Sequence, residues 1–225
     1  MIRFKQFLNE GVHDPGIFKA IFLSGGPGSG KSFVSKKTTS GMGLKVVNSD
    51  EIFTYLLKKS NLGTDILNMT PKEYEKAMEI RAGAKSLLSK KQELFLKGRL
   101  GMVIDGTGKN FNKIKDQSEE LKKMGYDTFL IFVNTSLEVA LERNKNRERK
   151  VPVEIVMQGW KSVQGNIGKF QQYFGQNNMI IVDNNDAKED VLTVVFKKVS
   201  KFVKRPIHNN LAKQWIDAEL SKLKK

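Results

Sequence analysis

The sequence predicts a three-layer α/β fold in which helices cover both faces of a five-stranded parallel sheet. Five short apolar runs alternate with segments whose apolar residues recur at helical spacing, which is the pattern of a doubly wound parallel sheet. Polar or acidic residues follow several of these runs, as they do where strands pass into helices. The 225 residues, 39% of them hydrophobic, suffice for one such domain with appendages but not for two full domains.

The five predicted strands are apolar runs that end in turn residues. They span residues 18–24, 44–47, 102–104, 128–133 and 179–182. The carboxyl ends of parallel strands meet at one edge of a sheet, and ligands bind at that edge. We therefore expect the functional residues to follow the strands directly.

Sequence signals also place the helices between these strands. Three polar residues, each followed three positions later by glutamate, predict helix caps; they are Thr70, Thr135 and Asp186. The first of these helices has proline at its first position and runs to about residue 97, where Gly98 ends it. An apolar stripe between Val153 and Phe174 predicts a further helix that begins at Pro152 and packs in the core.

Breaks in these patterns divide the chain into three parts. They are an N-terminal amphipathic segment (1–16), one α/β domain (17–203) and a basic C-terminal helix (204–225). The N-terminal segment lacks the uninterrupted apolar run of a secretory signal. Its Leu8-Asn9-Glu10 triplet, followed by glycine, resembles the cleavage site of leader peptides that carry tailed-phage proteins into the prohead. That resemblance implies a phage origin and packaging into the virion.

The composition restricts the classes of partner and compartment. The formal charge of +15 indicates attraction to phosphates, nucleic acid or another acidic surface. Nine Lys/Arg against two acidic residues lie between Lys197 and Lys225, so the tail is either a solvated basic helix or a nucleic-acid contact. The absence of cysteine excludes disulfides and thiolate metal sites and predicts a cytoplasmic location, in the host cytoplasm for a phage protein. No apolar run is long enough to span a membrane.

The glycine-rich segment after the first strand carries the most specific motif. Residues 25–32, GGPGSGKS, match the phosphate-loop pattern G-x-x-x-x-G-K-[ST] at every fixed position. In such a loop backbone N–H groups surround a phosphate, and the following helix points its positive end at the same place. We expect Lys31 to contact the β- and γ-phosphates of ATP and Ser32 to hold Mg²⁺. The predicted nucleotide-binding residues are Gly25, Gly26, Pro27, Gly28, Ser29, Gly30, Lys31, Ser32 and Phe33.

Three further motifs follow the later strands. They are NSDE at 48–51, IDGTG at 104–108 and LERNKNRERKVP at 141–152. With the phosphate loop, they make residues 18–185 resemble the zeta-toxin and polynucleotide-kinase branch of small P-loop kinases. The resemblance implies an ATP- and Mg²⁺-dependent phosphotransferase with the adenylate-kinase-like strand order 2-3-1-4-5. It also implies an acceptor hydroxyl on a nucleic-acid end, a nucleotide or a nucleotide-sugar.

The resemblance assigns roles to the residues after strands two and three. It implies that Asp50 takes the proton from the acceptor hydroxyl, although a carboxylate there could also cap the helix from Glu51. Asp105 either approaches the acceptor or supports Mg²⁺, and the sequence leaves both roles open. Thr107 and Asn110 belong to the same loop and are predicted to touch the acceptor. We assign Asp183, after the fifth strand, to a cap or turn.

Three arginines follow the fourth strand: Arg143, Arg147 and Arg149. They resemble the lid of these kinases, near residues 144–152, where arginines stabilise the charge of the transferring phosphate. Arginines on a helix surface are also often only solvated. Of the three, Arg143 and Arg147 are the predicted catalytic residues.

Two other classes of protein are alternatives to a kinase. A regulatory GTPase is disfavoured, because residues 144–147 lack the aspartate of the guanine-selecting N-K-x-D motif. A packaged DNA-binding or virion protein that uses nucleotide only as a switch fits the charge and the leader. Substitution of Asp50 separates it from a kinase, because only a kinase would lose phosphoryl transfer.

Overall fold

The computed structural model describes residues 10–147, 150–186 and 188–223. Its centre is a five-stranded sheet with the order β2-β3-β1-β4-β5, in which every neighbouring pair is parallel. The strands are β1 (Lys19–Ser24), β2 (Lys45–Val47), β3 (Met102–Asp105), β4 (Asp127–Asn134) and β5 (Met179–Asp183). The predicted fold class and strand order are therefore confirmed.

Ten α-helices lie within the described residues. They are α1 (Glu10–His13), α2 (Lys31–Thr39), α3 (Ser49–Lys59), α4 (Pro71–Lys97), α5 (Phe111–Lys123), α6 (Leu137–Lys145), α7 (Val153–Gln164), α8 (Ile167–Phe174), α9 (Glu189–Val203) and α10 (Asn210–Leu223). None of these helices is both long and apolar enough to cross a membrane. The predicted leader falls mostly on residues 1–9, which lie outside the described part of the chain.

Alternation along β1 sends successive side chains to opposite faces of the sheet. Ala20 and Phe22 join a core cluster with residues of α5, α7, α8 and α10. Ile21 and Leu23 join a second cluster with residues of α2 and α9. Two apolar layers therefore sandwich the central strand, which fixes the position of the loop at its carboxyl end.

Helices α3 and α4 pack mainly on each other beside the sheet. Phe53 and Leu57 of α3 and Ala77 and Ala84 of α4 form a third, smaller core cluster. The Thr70 side chain accepts a hydrogen bond from the Glu73 backbone N–H, and the glutamate reciprocates, so the predicted capping box is confirmed. The pair forms a wall on one side of the carboxyl edge of the sheet.

The C-terminal helix α10 is docked on the body of the protein. The Trp215 ring meets the Phe18 ring edge-on, with centroids 5.6 Å apart. Ala212 is fully buried, and a Cβ added to Gly125 would lie 3.1 Å from the Cβ of Ala212. The helix therefore contributes to the core while its basic side chains face outward.

Three predictions of helix ends were wrong. Ser136, one residue after the predicted Thr135, caps α6 by accepting from the Val139 backbone N–H. Helix α9 begins after Lys188 without a side-chain cap, so Asp186 does not have that role. The single helix predicted from Pro152 is two helices, with a break at Gly165 and Asn166. At the break, the Asn166 side-chain amide donates to the carbonyl oxygens of Gly108 and Lys109, in the loop after β3.

Candidate active site

The phosphate loop joins the end of β1 to the start of α2. Gly28 and Gly30 have φ angles of 81° and 83°, which L residues with a Cβ rarely adopt. A Cβ on Gly28 would overlap the Ala140 carbonyl group, and one on Gly30 would overlap the Asn184 side chain. The loop is therefore compact, and its curvature depends on glycine at both positions.

Two hydrogen bonds hold the loop from outside. The Asn184 side-chain amide donates to the Ser29 carbonyl oxygen at 2.7 Å, and Asn184 is only 2% exposed. On the other side, the Gly25 N–H donates to the Thr107 carbonyl oxygen at 3.2 Å. The segments that follow β5 and β3 thus fix the loop between them.

Lys31 begins α2 and points back over the loop. Its Nζ donates to the carbonyl oxygen of Gly25 at 2.8 Å and to that of Gly26 at 3.4 Å. Burial lowers the pKa of Lys31 below its ordinary value, and the Asp105 carboxylate only partly offsets this. An ammonium group in such surroundings gains from an added anion, as expected for a lysine that binds phosphates.

Asp50 lies in the first turn of α3, which follows β2. Asn48 caps this helix, because its side-chain oxygen accepts from the Asp50 backbone N–H at 2.8 Å. The alternative that Asp50 caps a helix from Glu51 is therefore wrong. The exposed Asp50 side chain lines the same cleft as Lys31.

Asp105 ends β3 and faces both Lys31 and the start of α3. Its Oδ2 accepts from the Asn48 side-chain amide at 2.9 Å. Its Oδ1 is buried and has no hydrogen-bond partner within the described residues. Burial raises the pKa of Asp105, and the positive charge of Lys31 partly opposes this.

Arg143 and Arg147 come from the opposite wall of the cleft. Arg143 lies on α6, and its Nη2 donates to the Asn185 carbonyl oxygen at 2.9 Å. Its Nη1 is buried without a hydrogen-bond partner in the described part of the chain, and lies 3.6 Å from where a Cβ of Gly30 would be. Arg147 follows the end of α6 and also lines the cleft. Arg149 lies outside the described residues.

The side chains predicted for catalysis border one cleft of about 1100 Å³. Among the described residues, the charged side chains that line it comprise six cations and three carboxylates, a formal excess of +3. They are Lys31, Lys58, Arg81, Lys113, Arg143 and Arg147, with Asp50, Glu51 and Asp105. Ser32 and Thr107 also line the cleft. This charge suits a ligand that carries several phosphates.

Five residues predicted for the site lie outside the lining of the cleft: Gly25, Gly26 and Ser29 of the phosphate loop, Phe33 and Asn110. Phe33 is exposed on the first turn of α2. The Asn110 side chain caps α5 by accepting from the Lys113 backbone N–H at 3.1 Å. Asp183 forms a turn with Asn185, as predicted. The geometry leaves the proposed contact of Asn110 with the acceptor untested.

Sequence reasoning missed three asparagines that organise the site. Asn48 is hydrogen-bonded to both Asp50 and Asp105. Asn184 is hydrogen-bonded to the phosphate loop. Asn185 accepts hydrogen bonds from the Ser136 backbone N–H and from the Arg143 guanidinium. Each directly follows a strand or comes two residues after one, which is where functional residues were expected. The sequence predictions at such positions concern the acidic residues and Thr107, but not these asparagines.

The sheet order and the loop define a P-loop nucleotide-binding fold. Together with the family and the relative described next, they make this protein an ATP-dependent kinase. The chain belongs to the zeta toxin family, whose family model matches residues 10–193. This match covers the sheet, the loop and both walls of the cleft.

Individual relatives agree with this class. The chain is 24% identical over 189 residues to a cytidylate kinase from Sulfolobus acidocaldarius, covering 80% of this chain and 94% of the relative. It also resembles a structure of the PezAT toxin–antitoxin system of Streptococcus pneumoniae, with a TM-score of 0.57 and 13% identity over 89% of this chain and 94% of that one. An ATP-containing structure of AvrRxo1-ORF1:-ORF2 has a TM-score of 0.54 and 16% identity, over 79% of this chain and 61% of that one. At these identities the structural likeness concerns the fold.

Proposed function

We propose that this protein transfers the γ-phosphate of ATP to a hydroxyl group of an acceptor that itself bears phosphate. The observation that carries the proposal is the arrangement of one cleft. Lys31 at the phosphate loop, Asp50 on α3 and two arginines after β4 all line it. Nucleotide binding alone needs no exposed carboxylate in front of the loop, whereas transfer to a hydroxyl uses one to orient and deprotonate the acceptor.

The chemical step follows from these positions. Asp50 accepts the proton of the acceptor hydroxyl as its oxygen attacks the γ-phosphorus of ATP. The bond between that phosphorus and the β–γ bridging oxygen breaks, and ADP leaves with the electron pair. Lys31, Arg143 and Arg147 stabilise the negative charge that spreads over the transferring group. Little covalent chemistry is required of the protein beyond this positioning.

The oxygens beside the loop fit Mg²⁺. This ion takes oxygen ligands and is commonly bound by one or two carboxylates together with the substrate phosphates. Ser32 and Asp105 border the same cavity, and the buried Oδ1 of Asp105 has no hydrogen-bond partner among the residues described. The Ser32 hydroxyl and this oxygen would hold the ion. The described residues contain no group of three or more histidine, aspartate or glutamate side chains that would bind a metal without the phosphates. When bound, Mg²⁺ neutralises charge on the β- and γ-phosphates.

Nucleic-acid 5′-hydroxyl ends are the favoured acceptors. The chain carries a formal charge of +15, and the lining residues of the cleft that the structure describes have an excess of three positive charges. Sequence-independent binding of nucleic acid depends mainly on such charge. The cytoplasm, where ATP is plentiful, suits this activity and a chain without cysteine.

Nucleotide-sugars are the second candidate acceptors. Membership of the zeta toxin family favours them, because the resemblance to zeta toxins implies UDP-sugars as substrates. In that case the protein acts as a toxin, and expression in a host cell arrests growth.

An acceptor screen tests the proposal. Purified protein is incubated with labelled ATP and Mg²⁺ and with DNA or RNA 5′-hydroxyl ends, nucleosides, nucleoside monophosphates or UDP-sugars. We expect label to pass to a phosphate-bearing acceptor, and Lys31→Ala to abolish the transfer. A protein that binds ATP but labels none of these acceptors would contradict the proposal and favour a nucleotide-controlled DNA-binding or virion protein.

A further inference from the structure

The cleft extends beyond the catalytic residues into a second charged region. Its lining there comes from three helices: Tyr55 and Lys58 on α3, Arg81 on α4 and Lys113 on α5. All four side chains are exposed. None of them belongs to the phosphate loop or to the segment after β4 that supplies Arg143 and Arg147.

Helix α3 relates this region to the base. Asp50, Thr54 and Lys58 recur every four residues and line the cleft together, so they form one stripe along the helix. Lys58 lies eight residues from Asp50, which is about 12 Å along the helix axis at about 1.5 Å per residue. The stripe thus offers an acceptor whose hydroxyl is at Asp50 a path along α3 toward Lys58.

The Arg81 guanidinium lies over the ring of Phe53. Its guanidinium carbon lies 5.6 Å from the centroid of the Phe53 ring, which is 1% exposed and part of the core between α3 and α4. A guanidinium over the face of a buried ring is favoured in that position before a ligand arrives, and its planar N–H groups are of the kind that bind anions. Arginine in this setting binds phosphate oxygens with two parallel hydrogen bonds.

Tyr55 supplies a different kind of surface. Its side chain is 64% exposed although it borders the cleft next to the stripe of Asp50, Thr54 and Lys58. An exposed aromatic ring beside cations is the arrangement on which nucleobases stack. The four side chains therefore present one aromatic ring and three cations to the same cleft.

We propose that Arg81, Lys113 and Lys58 bind a phosphate of the acceptor while Tyr55 stacks on its base, which makes the acceptor a nucleotide unit with its own phosphate. This assignment rests on the proposed function. Oligonucleotide 5′-hydroxyl ends and nucleotide-sugars share this chemistry, and both are included in the test.

Matched variants test the phosphate contact. We expect Arg81→Gln and Lys113→Gln each to raise the KM for a phosphate-bearing acceptor by about tenfold or more, with little change in kcat. The KM for ATP, and that for an unphosphorylated nucleoside, should not change. Lys85→Gln and Lys115→Gln remove exposed lysines from the same two helices outside the cleft lining and serve as controls. The assignment would be overturned if KM rose equally for the phosphate-bearing acceptor and the unphosphorylated nucleoside. It would also be overturned if the control variants raised KM as much as Arg81→Gln and Lys113→Gln.

The ring contact has its own pair of variants. Tyr55→Ala should weaken acceptor binding about tenfold, whereas Tyr55→Phe should retain it. Tyr74→Ala, which removes a 49% exposed ring from α4 outside the cleft lining, is the control. Equal losses in Tyr55→Phe and Tyr55→Ala would show that the ring face is not the contact.

Equilibrium binding separates this inference from the proposed function. A fluorescent 5′-hydroxyl oligonucleotide and a UDP-sugar are titrated into protein saturated with a non-hydrolysable ATP analogue. Weaker binding to Arg81→Gln and Lys113→Gln supports the phosphate site even if no transfer occurs, and the preferred ligand identifies the source of the phosphate. Unchanged binding of both ligands would reject the site even if transfer is observed.

Discussion

The Asn48 side chain joins the two acids of the site, since its amide donates to Asp105 at 2.9 Å while its oxygen accepts the Asp50 backbone N–H at 2.8 Å. One short polar side chain therefore sets both the start of α3 and the orientation of the carboxylate that ends β3. Asp50 and Asp105 are positioned relative to each other through it.

Replacement of Asn48 by alanine should lower both stability and activity. Loss of an N-cap costs about 1 kcal/mol of unfolding free energy, and Asp105 loses the donor that orients it. We expect kcat to fall about tenfold or more. Thr70→Ala, which removes the cap of α4, should cost similar stability in thermal unfolding but leave kcat unchanged. Equal kcat in the two variants would contradict a positioning role for Asn48.

Replacement of Asp50 by asparagine tests the general base. The amide keeps the size of the side chain but cannot accept the proton, so we expect transfer to fall by about 10²- to 10⁴-fold. ATP affinity, measured by fluorescence titration, should be unchanged. Glu51→Gln alters the neighbouring carboxylate in the same cleft and is the control. If only the Glu51 variant loses transfer, the base has been assigned to the wrong acid.

Removal of the Arg143 side chain should slow the chemical step. Its Nη1 is buried beside Gly30 and its Nη2 is anchored on Asn185, so the guanidinium is fixed where charge develops. Arg143→Ala should reduce kcat by about 10²-fold or more. Lys145→Ala removes an exposed cation from the same helix outside the cleft lining and should leave kcat intact. A purely solvated Arg143 would give the same small effect as Lys145.

Asn184→Ala should weaken ATP binding. The substitution removes the donor to the Ser29 carbonyl oxygen, a buried bond of a kind worth about 0.5–1.5 kcal/mol, so Kd for ATP should rise up to about tenfold. The change is measured by isothermal titration. Asn178→Ala at the other end of β5, where its side chain accepts from Arg205, is the control. Unaltered affinity in Asn184→Ala would mean that the loop holds its shape without this contact.

The sequence predicted the sheet and the loop because both follow from local patterns. Alternating apolar runs and helical segments determine a parallel sheet, and glycine at positions 28 and 30 is required by backbone angles that few other residues adopt. The predicted catalytic residues Lys31, Asp50, Arg143 and Arg147 also line one cleft, because each comes from the carboxyl edge of the sheet or the elements that leave it.

Contacts between distant segments could not be predicted in this way. Asn184 reaches a loop 155 residues earlier in the chain, and no spacing rule connects the two. The choice of Ser136 over Thr135 as a cap depended on where β4 stops, and strand ends are set by pairing with neighbours. Likewise Arg81 is 31 residues from Asp50 and enters the cleft only because α4 folds back along α3.

The hydrogen bond between Asn184 and Ser29 makes nucleotide binding depend on β5, a strand at the edge of the sheet. β5 pairs with β4 alone, so fraying can begin there while the central strands remain intact. Local unfolding of β5 would break the hydrogen bond of Asn184 and leave the phosphate loop less ordered. Because ATP binds only the form with an ordered loop, bound ATP should stabilise β5 against local unfolding. Amide exchange should therefore slow more in β5 than in β2, the strand at the opposite edge of the sheet.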